Sequence, residues 1–389
     1  MKTNTKIKSI PILITLFLVE IFIGGAGNLL TIFEIPVRQV IFVLLLVFSF
    51  FHLINHKITV QYGDFVILSI IFWSLMSAFI GLIRGHDPKI IFNDISPMMF
   101  FLIYFPLRVY FSKYEISYEK FLEILTHSSV FMSLMILLMY VMLLGSDMQG
   151  AVFQAAFLND NEVFWFRPDG SIFYPGMVYI LVSIILLTGK AIDDRKLSIY
   201  EFASLSLSFT VIMMSGTKGL MGALLLVVFM FLLLKTISIA VKLKLIVVGV
   251  TLICIALYSF DFTRFLSIGN DSGVIVRLNT IDESLSAINA HMFFGNGFGF
   301  ELDTKKFHQE NSFLDIAVEQ GLIGIFLYCV LFLHIFTKRK ESVYLAISVA
   351  IVAIMSLTNP YINNPLGISL ILLTMLFCDK KINNKSKLL

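Results

Sequence analysis

The sequence contains little cysteine, little proline and few charged residues. Only 3 of its 389 residues are Cys and 9 are Pro. Charged residues make up 14% of the chain, against about 25% in soluble proteins. Because Cys254, Cys329 and Cys378 lie far apart, we expect neither a disulfide framework nor a zinc site. The net charge of +3 is too weak and scattered to indicate nucleic-acid binding.

Long hydrophobic runs are abundant, since 58% of the residues are hydrophobic. A membrane-spanning helix needs roughly 20 apolar residues. About twelve segments satisfy this requirement, at residues 9–24, 36–54, 65–83, 95–111, 128–145, 172–189, 200–214, 218–234, 244–260, 312–336, 341–357 and 361–378. The chain shows no internal repeat and no soluble domain. We therefore predict an all-α, polytopic membrane protein with a single transmembrane domain over residues 1–389, in which 200–214 and 218–234 are either two spans or a re-entrant pair.

The positions of lysine and arginine indicate the orientation. With both termini in the cytoplasm, nine of the 29 basic residues fall on the outer side: Arg38, Arg84, Lys89, Arg167, Lys218, Arg264, Arg277, Lys305 and Lys306. Lys2, Lys6 and Lys8 precede the first apolar run without a cleavage site, which predicts an uncleaved first helix. Two extracytoplasmic loops are long, at residues 146–171 and 261–311, and the second precedes helix 10. Loops of this length are usually functional or disordered.

The basic residues on the outer side are mostly arginine, whereas those on the inner side are mostly lysine. Lysine is sufficient for orientation, but only arginine offers a planar fork that binds phosphate or carboxylate through two hydrogen bonds. The outer arginines therefore indicate an anionic ligand. The alternative for any one of them is a local ion pair, such as Arg84 with Asp87.

Two short outer segments each place a basic residue near a helix. Arg167 lies in the aromatic sequence Phe164-Trp165-Phe166 that precedes the sixth span, and it either binds a ligand or pairs with an acid of its own loop. Lys218 begins the eighth span, where a cation beside free backbone N–H groups suits an anion. Three glycines around Lys218 have a spacing that favours close helix packing: Gly216, Gly219 and Gly222.

The long loop contains Arg264, Arg277 and the sequence Gly295-Asn296-Gly297-Phe298-Gly299. No buried strand precedes these glycines, so they predict a tight turn and not a dinucleotide site. The residues between Arg277 and the turn are apolar at every third or fourth position. This pattern predicts an amphipathic helix on the membrane surface or over a cavity.

The segment from His308 into the tenth span carries the most specific pattern. Asn311 is a helix cap, and Asn311, Asp315 and Glu319 follow at intervals of four, on one helix face. Glu319 would lie about 12 Å into the span, where an acid needs a partner or a wet cavity. We expect either an ion pair with an arginine or an interior polar space. His308 lies just before this face, and an imidazole is a suitable general base.

These segments together resemble the O-antigen polymerase and O-antigen ligase superfamily of bacterial envelopes. The resemblance covers roughly residues 165–335, with Arg167 to Pro175, Ser215 to Gly219, Arg277 to Gly299 and His308 to Gly324 in the family's order. The sequence departs from the family's pattern at two places. Glu310 precedes Asn311 where many ligases have His, which makes it a rival base and favours a polymerase, and Lys218 replaces an arginine.

The resemblance implies a membrane glycosyltransferase of the GT-C-like type that acts on undecaprenyl-pyrophosphate-linked oligosaccharide at the extracytoplasmic face. It implies His308, Glu310 and Arg277 as catalytic residues. Pyrophosphate or glycan would be bound by Arg167, Lys218, Arg264, Asn311, Asp315 and Glu319. We expect no metal and no cofactor, and a location in the bacterial cytoplasmic membrane among membrane lipids, with a chain-length regulator and a flippase as possible partners. The alternatives are a ligase that transfers glycan to the lipid A core, a flippase for lipid-linked sugars, and an inactive assembly partner.

Overall fold

A computed structural model describes most of the chain. The described residues are 9–25, 29–32, 35–55, 60–114, 116–145, 164–166, 172–193, 196–234, 239, 242–244, 246–247, 249–251, 272–302, 311–338 and 342–385. The longer helices are α1 (Ser9–Ile23), α2 (Val37–Asn55), α3 (Tyr62–Ile83), α4 (Pro88–Met99), α5 (Tyr104–Tyr114), α6 (Tyr118–Gly145), α7 (Met177–Ile192), α8 (Ile199–Met214), α9 (Lys218–Leu232), α10 (Ser272–Ala290), α11 (Ser312–Thr337), α12 (Val343–Met355) and α13 (Pro365–Lys385). A 3₁₀ turn at Phe100–Ile103 joins α4 to α5.

Among the described residues, 4 helices are long and apolar enough to cross a membrane: Tyr62–Ile83, Pro88–Phe111, Tyr118–Met142 and Ser312–Thr337. The shorter apolar helices are Ile12–Ile23, Val37–Phe51, Met177–Ile192, Ile199–Met214, Lys218–Leu232, Val343–Met355 and Pro365–Asp379. Every predicted span except residues 244–260, which lie largely outside the described residues, coincides with one of these helices. The chain is therefore a helical, polytopic membrane protein, and the count of twelve spans stays a prediction.

The chain contains two compact units. The first comprises Met1–Thr59, Ile103–Leu220 and Leu376–Leu389, and the second comprises Val60–Leu102 and Met221–Met375. Each unit is described by itself below.

The first unit packs α1, α2, α5, α6, α7 and α8 around a buried aromatic core. The ring of Phe22 lies 4.8 Å from Tyr179 and 5.8 Å from Phe121, measured between ring centroids. Near the adjoining ends of α1 and α2, Arg38 Nε lies 2.6 Å from Glu20 Oε2, and both side chains are buried. The unit also contains two antiparallel strand pairs of two residues each. The pairs are β1 (Thr31–Ile32) with β2 (Ile35–Pro36), and β3 (Trp165–Phe166) with β4 (Ile172–Phe173).

The second unit packs α11 against α3 and α10, and α3 against α4. Helices α3 and α11 run in opposite directions, since Tyr62 stacks on His334 while Ser77 donates to the carbonyl of Glu319. Helix α3 buries glycines and serines together with aliphatic residues such as Ile67 and Ile70, and it exposes a stripe of phenylalanines, Phe65, Phe72 and Phe79. Exposed large apolar residues on one side, and buried glycines and serines on the other, suit a helix that meets lipid on one side and close neighbours on the other.

Candidate functional site

Helix α11 is interrupted at Gly321. This residue has φ 66° and ψ −167°, which only glycine adopts readily. At the break, the N–H groups of Leu322 and Ile323 donate to the carbonyls of Met292 and Phe293, at 2.9 and 3.3 Å. Backbone groups at membrane depth must be satisfied within the protein. The carbonyls that precede Gly321 therefore need donors from elsewhere.

The residues Gly295–Gly299, here called the glycine turn, supply two of those donors. Asn296 N donates to Val318 O at 2.7 Å, and Gly297 N donates to Glu319 O at 2.9 Å. Helix α3 supplies another, since the indole Nε1 of Trp73 donates to Gln320 O at 2.9 Å. The break in α11 is thus closed by hydrogen bonds from two other parts of the chain, which fix the three elements together.

The glycine turn requires glycine for two physical reasons. Gly295, Gly297 and Gly299 have φ of 72°, 81° and 81°, in the left-handed region that other residues avoid. A Cβ atom would also lie 2.4 Å from Glu319 O at Gly295, and 2.4 Å from Gly81 N at Gly297. The predicted tight turn is confirmed, and its function in the fold is to bring backbone N–H groups against α11.

The polar face of α11 is formed as predicted. The side chain of Asn311 caps the helix and accepts hydrogen bonds from Phe313 N at 3.0 Å and Leu314 N at 3.2 Å. Asp315 and Glu319 lie further along the helix, and both are buried. Asp315 Oδ2 accepts a hydrogen bond from Asn363 Nδ2 at 2.7 Å, which ties α11 to the turn before α13.

Of the two alternatives for Glu319, the ion pair with an arginine is not found among the described residues. Within the part of the chain that the structure describes, Glu319 forms a side-chain hydrogen bond with Asp94 of α4, and not an ion pair with an arginine. Asp94 is itself buried, and its Oδ2 accepts a hydrogen bond from Gly299 N at 2.7 Å. Two carboxyl groups can share a hydrogen bond only if one of them holds a proton. Glu319 and Asp94 therefore hold at least one proton between them.

Arg84 also departs from its predicted pairing with Asp87. Its Nη1 donates to the carbonyl of Gly295 at 3.0 Å, whereas Asp87 caps α4 by accepting from Lys89 N at 2.8 Å. The guanidinium of Arg84 thus donates a hydrogen bond to the carbonyl of Gly295 in the glycine turn. An ion pair between Arg84 and Asp87 would not supply this donor. This arginine of the predicted outer set therefore has a structural partner.

Lys218 is the first residue of α9, as expected, and its side chain is exposed. The glycines around it do not share one role. Gly216 lies in the preceding turn with φ 57°. A Cβ at Gly222 would meet no atom within 4 Å among the described residues, which therefore show no close packing at that position.

The predicted amphipathic helix after Arg277 is confirmed as part of α10. Its apolar residues Leu278 and Leu285 are exposed, while the small polar residues Thr280 and Ser284 are buried. This distribution suits a helix in contact with lipid. The exposed leucines face an apolar solvent, and the small buried residues permit close packing against neighbouring helices. Arg277 lies on this helix, and its side chain is outside the described part of the structure.

Four predicted site residues lie outside the described residues: His308, Glu310, Arg167 and Arg264. The structure does describe what flanks the first three of them. Arg167 falls between β3 and β4. His308 and Glu310 fall between Leu302 and Asn311, in the segment that joins the glycine turn to α11.

Sequence reasoning missed Asp94 and Asn363. Asp94 was visible as an acid in the apolar run Ile-Ile-Phe-Asn-Asp-Ile-Ser, where a charge is costly unless it has a partner. Asn363 lies between two prolines in Asn-Pro-Tyr-Ile-Asn-Asn-Pro, which signals a turn but not a contact with Asp315. Among the described residues, no group of three or more His, Cys, Asp or Glu could hold a metal ion.

Two comparisons with known proteins show what the chain resembles. A family model described as O-antigen ligase matches residues 203–329, which include α10, the glycine turn and the break in α11. The chain is also 27% identical over 378 residues to an O-antigen polymerase of Shigella flexneri, and the match covers 92% of each chain. The resemblance to the O-antigen polymerase and ligase superfamily is thereby confirmed.

Proposed function

We propose that this chain is a polymerase that joins undecaprenyl-pyrophosphate-linked oligosaccharide repeat units into O-antigen or capsular polysaccharide. The observation that carries the proposal is the similarity to an O-antigen polymerase along 92% of both chains. The family model for ligases covers a shorter region, residues 203–329. That region contains the glycine turn and the broken helix α11. We expect a polymerase and a ligase to share both features.

The proposed reaction forms one glycosidic bond and breaks one bond to pyrophosphate. A hydroxyl oxygen of the acceptor unit attacks the anomeric carbon of the donor glycan, and undecaprenyl pyrophosphate leaves with the bonding electron pair. The hydroxyl proton passes to a general base. We propose His308 or Glu310 as this base, because both lie in the short segment between two anchored elements, the glycine turn and the cap of α11.

The leaving pyrophosphate develops negative charge that basic side chains would neutralise. We propose Arg167, Lys218, Arg264 and Arg277 for this role. Arginine holds phosphate oxygens through two parallel hydrogen bonds. The activated donor supplies the free energy, so we propose a reaction that needs neither a metal nor a cofactor.

Asn311, Asp315 and Glu319 are proposed to border the glycan side of the site. They share one face of α11, and Asp315 and Glu319 are held by Asn363 and Asp94. These hydrogen bonds fix the positions of the two carboxyl groups. Preorganised acceptors of this kind cost no reorganisation when a substrate binds.

We propose that the enzyme works at the outer face of the bacterial cytoplasmic membrane, with both termini in the cytoplasm. Its substrate is a lipid-linked oligosaccharide embedded among membrane lipids. A flippase that delivers this substrate and a chain-length regulator are the expected protein partners, and no nucleic acid is expected.

The test uses purified protein in detergent with its undecaprenyl-pyrophosphate repeat unit and EDTA, and products are separated on a gel. We expect a glycan ladder from the wild type, and its loss in Arg277→Ala. Of the two variants His308→Ala and Glu310→Ala, the one that removes the general base should also abolish the ladder. The other variant should retain it. Lys305→Ala removes a positive charge from the same loop and serves as the matched control. A ladder that survives Arg277→Ala but not Lys305→Ala would contradict the assigned roles.

A further inference from the structure

The segment that carries His308 and Glu310 is bounded by two described anchors. At one end, Gly299 closes the glycine turn. At the other end, Ser312 begins α11, its N–H donates to Ser356 O at 2.9 Å, and its hydroxyl donates to Asn363 Oδ1 at 2.9 Å. Both flanking elements lie within the described residues.

Asp94 holds the first end. Its buried Oδ2 accepts the N–H of Gly299 at 2.7 Å, from a helix that lies about 200 residues earlier in the chain. Gly299 is crowded as well, since a Cβ would lie 2.7 Å from Ile91 Cγ1, and Ile91 is on the same helix as Asp94. Helix α4 thus fixes the exit of the glycine turn through one hydrogen bond and through packing.

Asp94 is also bonded to α11, the second element that flanks the segment. Its side chain forms the hydrogen bond with Glu319, and the carbonyl of Glu319 accepts from Gly297 N at 2.9 Å. One carboxyl group therefore connects the exit of the turn to the helix that receives the segment. Deleting it would free Gly299 and leave Glu319 buried without its partner, whereas all other bonds of the turn would remain.

We propose that Asp94 is a positioning residue for the glycosyl transfer, which anchors Gly299 and Glu319 in the two described elements that flank His308 and Glu310. The proposal rests on the proposed function for its kinetic part only. A catalytic group must be held close to its productive geometry, and a displacement of about 1 Å can cost about 100-fold in rate. We expect Asp94→Ala to lower kcat by about 10- to 100-fold with little change in KM.

The conservative variant Asp94→Asn separates positioning from a requirement for charge. The amide oxygen of asparagine can accept from Gly299 N, and its NH₂ group can donate to the carboxylate of Glu319. We expect Asp94→Asn to retain kcat within about threefold, because both hydrogen bonds have a partner of the right kind. Asp87→Ala is the matched control, since it removes an exposed acid from the start of the same helix and touches neither Gly299 nor Glu319.

Hydrogen exchange measured by mass spectrometry on the full-length protein tests the anchor without reference to activity. We expect faster exchange at Gly299 and in peptides covering residues 296–302 in Asp94→Ala, and wild-type exchange there in Asp94→Asn and Asp87→Ala. If Asp94→Ala does not fold, Asp94→Leu replaces it, since leucine has the same branching at Cγ without an acceptor. Unchanged exchange in the Ala or Leu variant would overturn the anchor.

Either of two kinetic results would overturn the proposal. Asp94→Ala with kcat within twofold of wild type would show that the anchor has no effect on the reaction. Asp94→Asn as inactive as Asp94→Ala would show that the negative charge itself is needed. Absence of any wild-type activity, together with the expected exchange result, would refute the polymerase and leave the anchor standing as a structural feature.

Discussion

Replacing Gly321 by alanine tests whether the broken helix is the element that holds the site together. A Cβ at Gly321 would lie 2.3 Å from Phe293 O and 2.5 Å from Gly295 N, which are backbone atoms that cannot rotate away. The backbone conformation alone costs a non-glycine residue about 1–3 kcal/mol. Overpacking against fixed neighbours adds about 1–3 kcal/mol. We expect Gly321→Ala to lose about 3 kcal/mol or more of unfolding free energy.

Thermal unfolding in detergent, followed by tryptophan fluorescence, measures this loss. Trp73 is a suitable reporter because its indole donates to Gln320 O, immediately before the break. Gly222→Ala is the matched control, since a Cβ there meets no described atom within 4 Å. In a helix it should be neutral or stabilise by up to about 1 kcal/mol. Equal stabilities of Gly321→Ala and Gly222→Ala would refute the argument, since alanine would then continue α11 without cost.

Two further predictions concern stability and use the same unfolding assay. Arg38→Ala leaves Glu20 buried without its partner at 2.6 Å and should cost about 3–5 kcal/mol. The double variant Glu20→Leu with Arg38→Met should recover most of that loss, and a double variant no better than Arg38→Ala would contradict the ion-pair argument. Asn311→Ala removes the oxygen that accepts two N–H groups and should cost about 1 kcal/mol. Asn311→Asp keeps an acceptor, so an equal loss in both variants would argue against the cap.

Features that depend on local chemistry could be predicted from the sequence. Hydropathy located the apolar helices, because lipid requires long uncharged runs whatever their partners are. The cap at Asn311, the common face of Asp315 and Glu319, and the tight turn at Gly295 to Gly299 each follow from a spacing within a few residues. Helix geometry and the positive φ of glycine determine such features locally.

Features that depend on a distant partner could not be predicted in the same way. Gly321 and Gly324 are equivalent in the sequence, and only the docking of the glycine turn decides that α11 breaks at the first of them. An arginine was the natural partner to expect for Glu319, yet Asp94 occupies that position from a helix far along the chain. The apolar stripe of α10 had the correct period, but its exposed side follows from a lipid surrounding and not from the pattern.

The central claim is that this chain polymerises lipid-linked repeat units, and one incubation tests it most directly. Purified protein receives the undecaprenyl-pyrophosphate repeat unit together with lipid A core as a competing acceptor, in EDTA, and both products are resolved on a gel. We predict a ladder of glycans that remain on undecaprenyl pyrophosphate, with no transfer to the core. Transfer to the core without a ladder would identify a ligase. Neither product, with movement of the lipid-linked substrate across liposome membranes, would contradict the enzyme and identify a carrier.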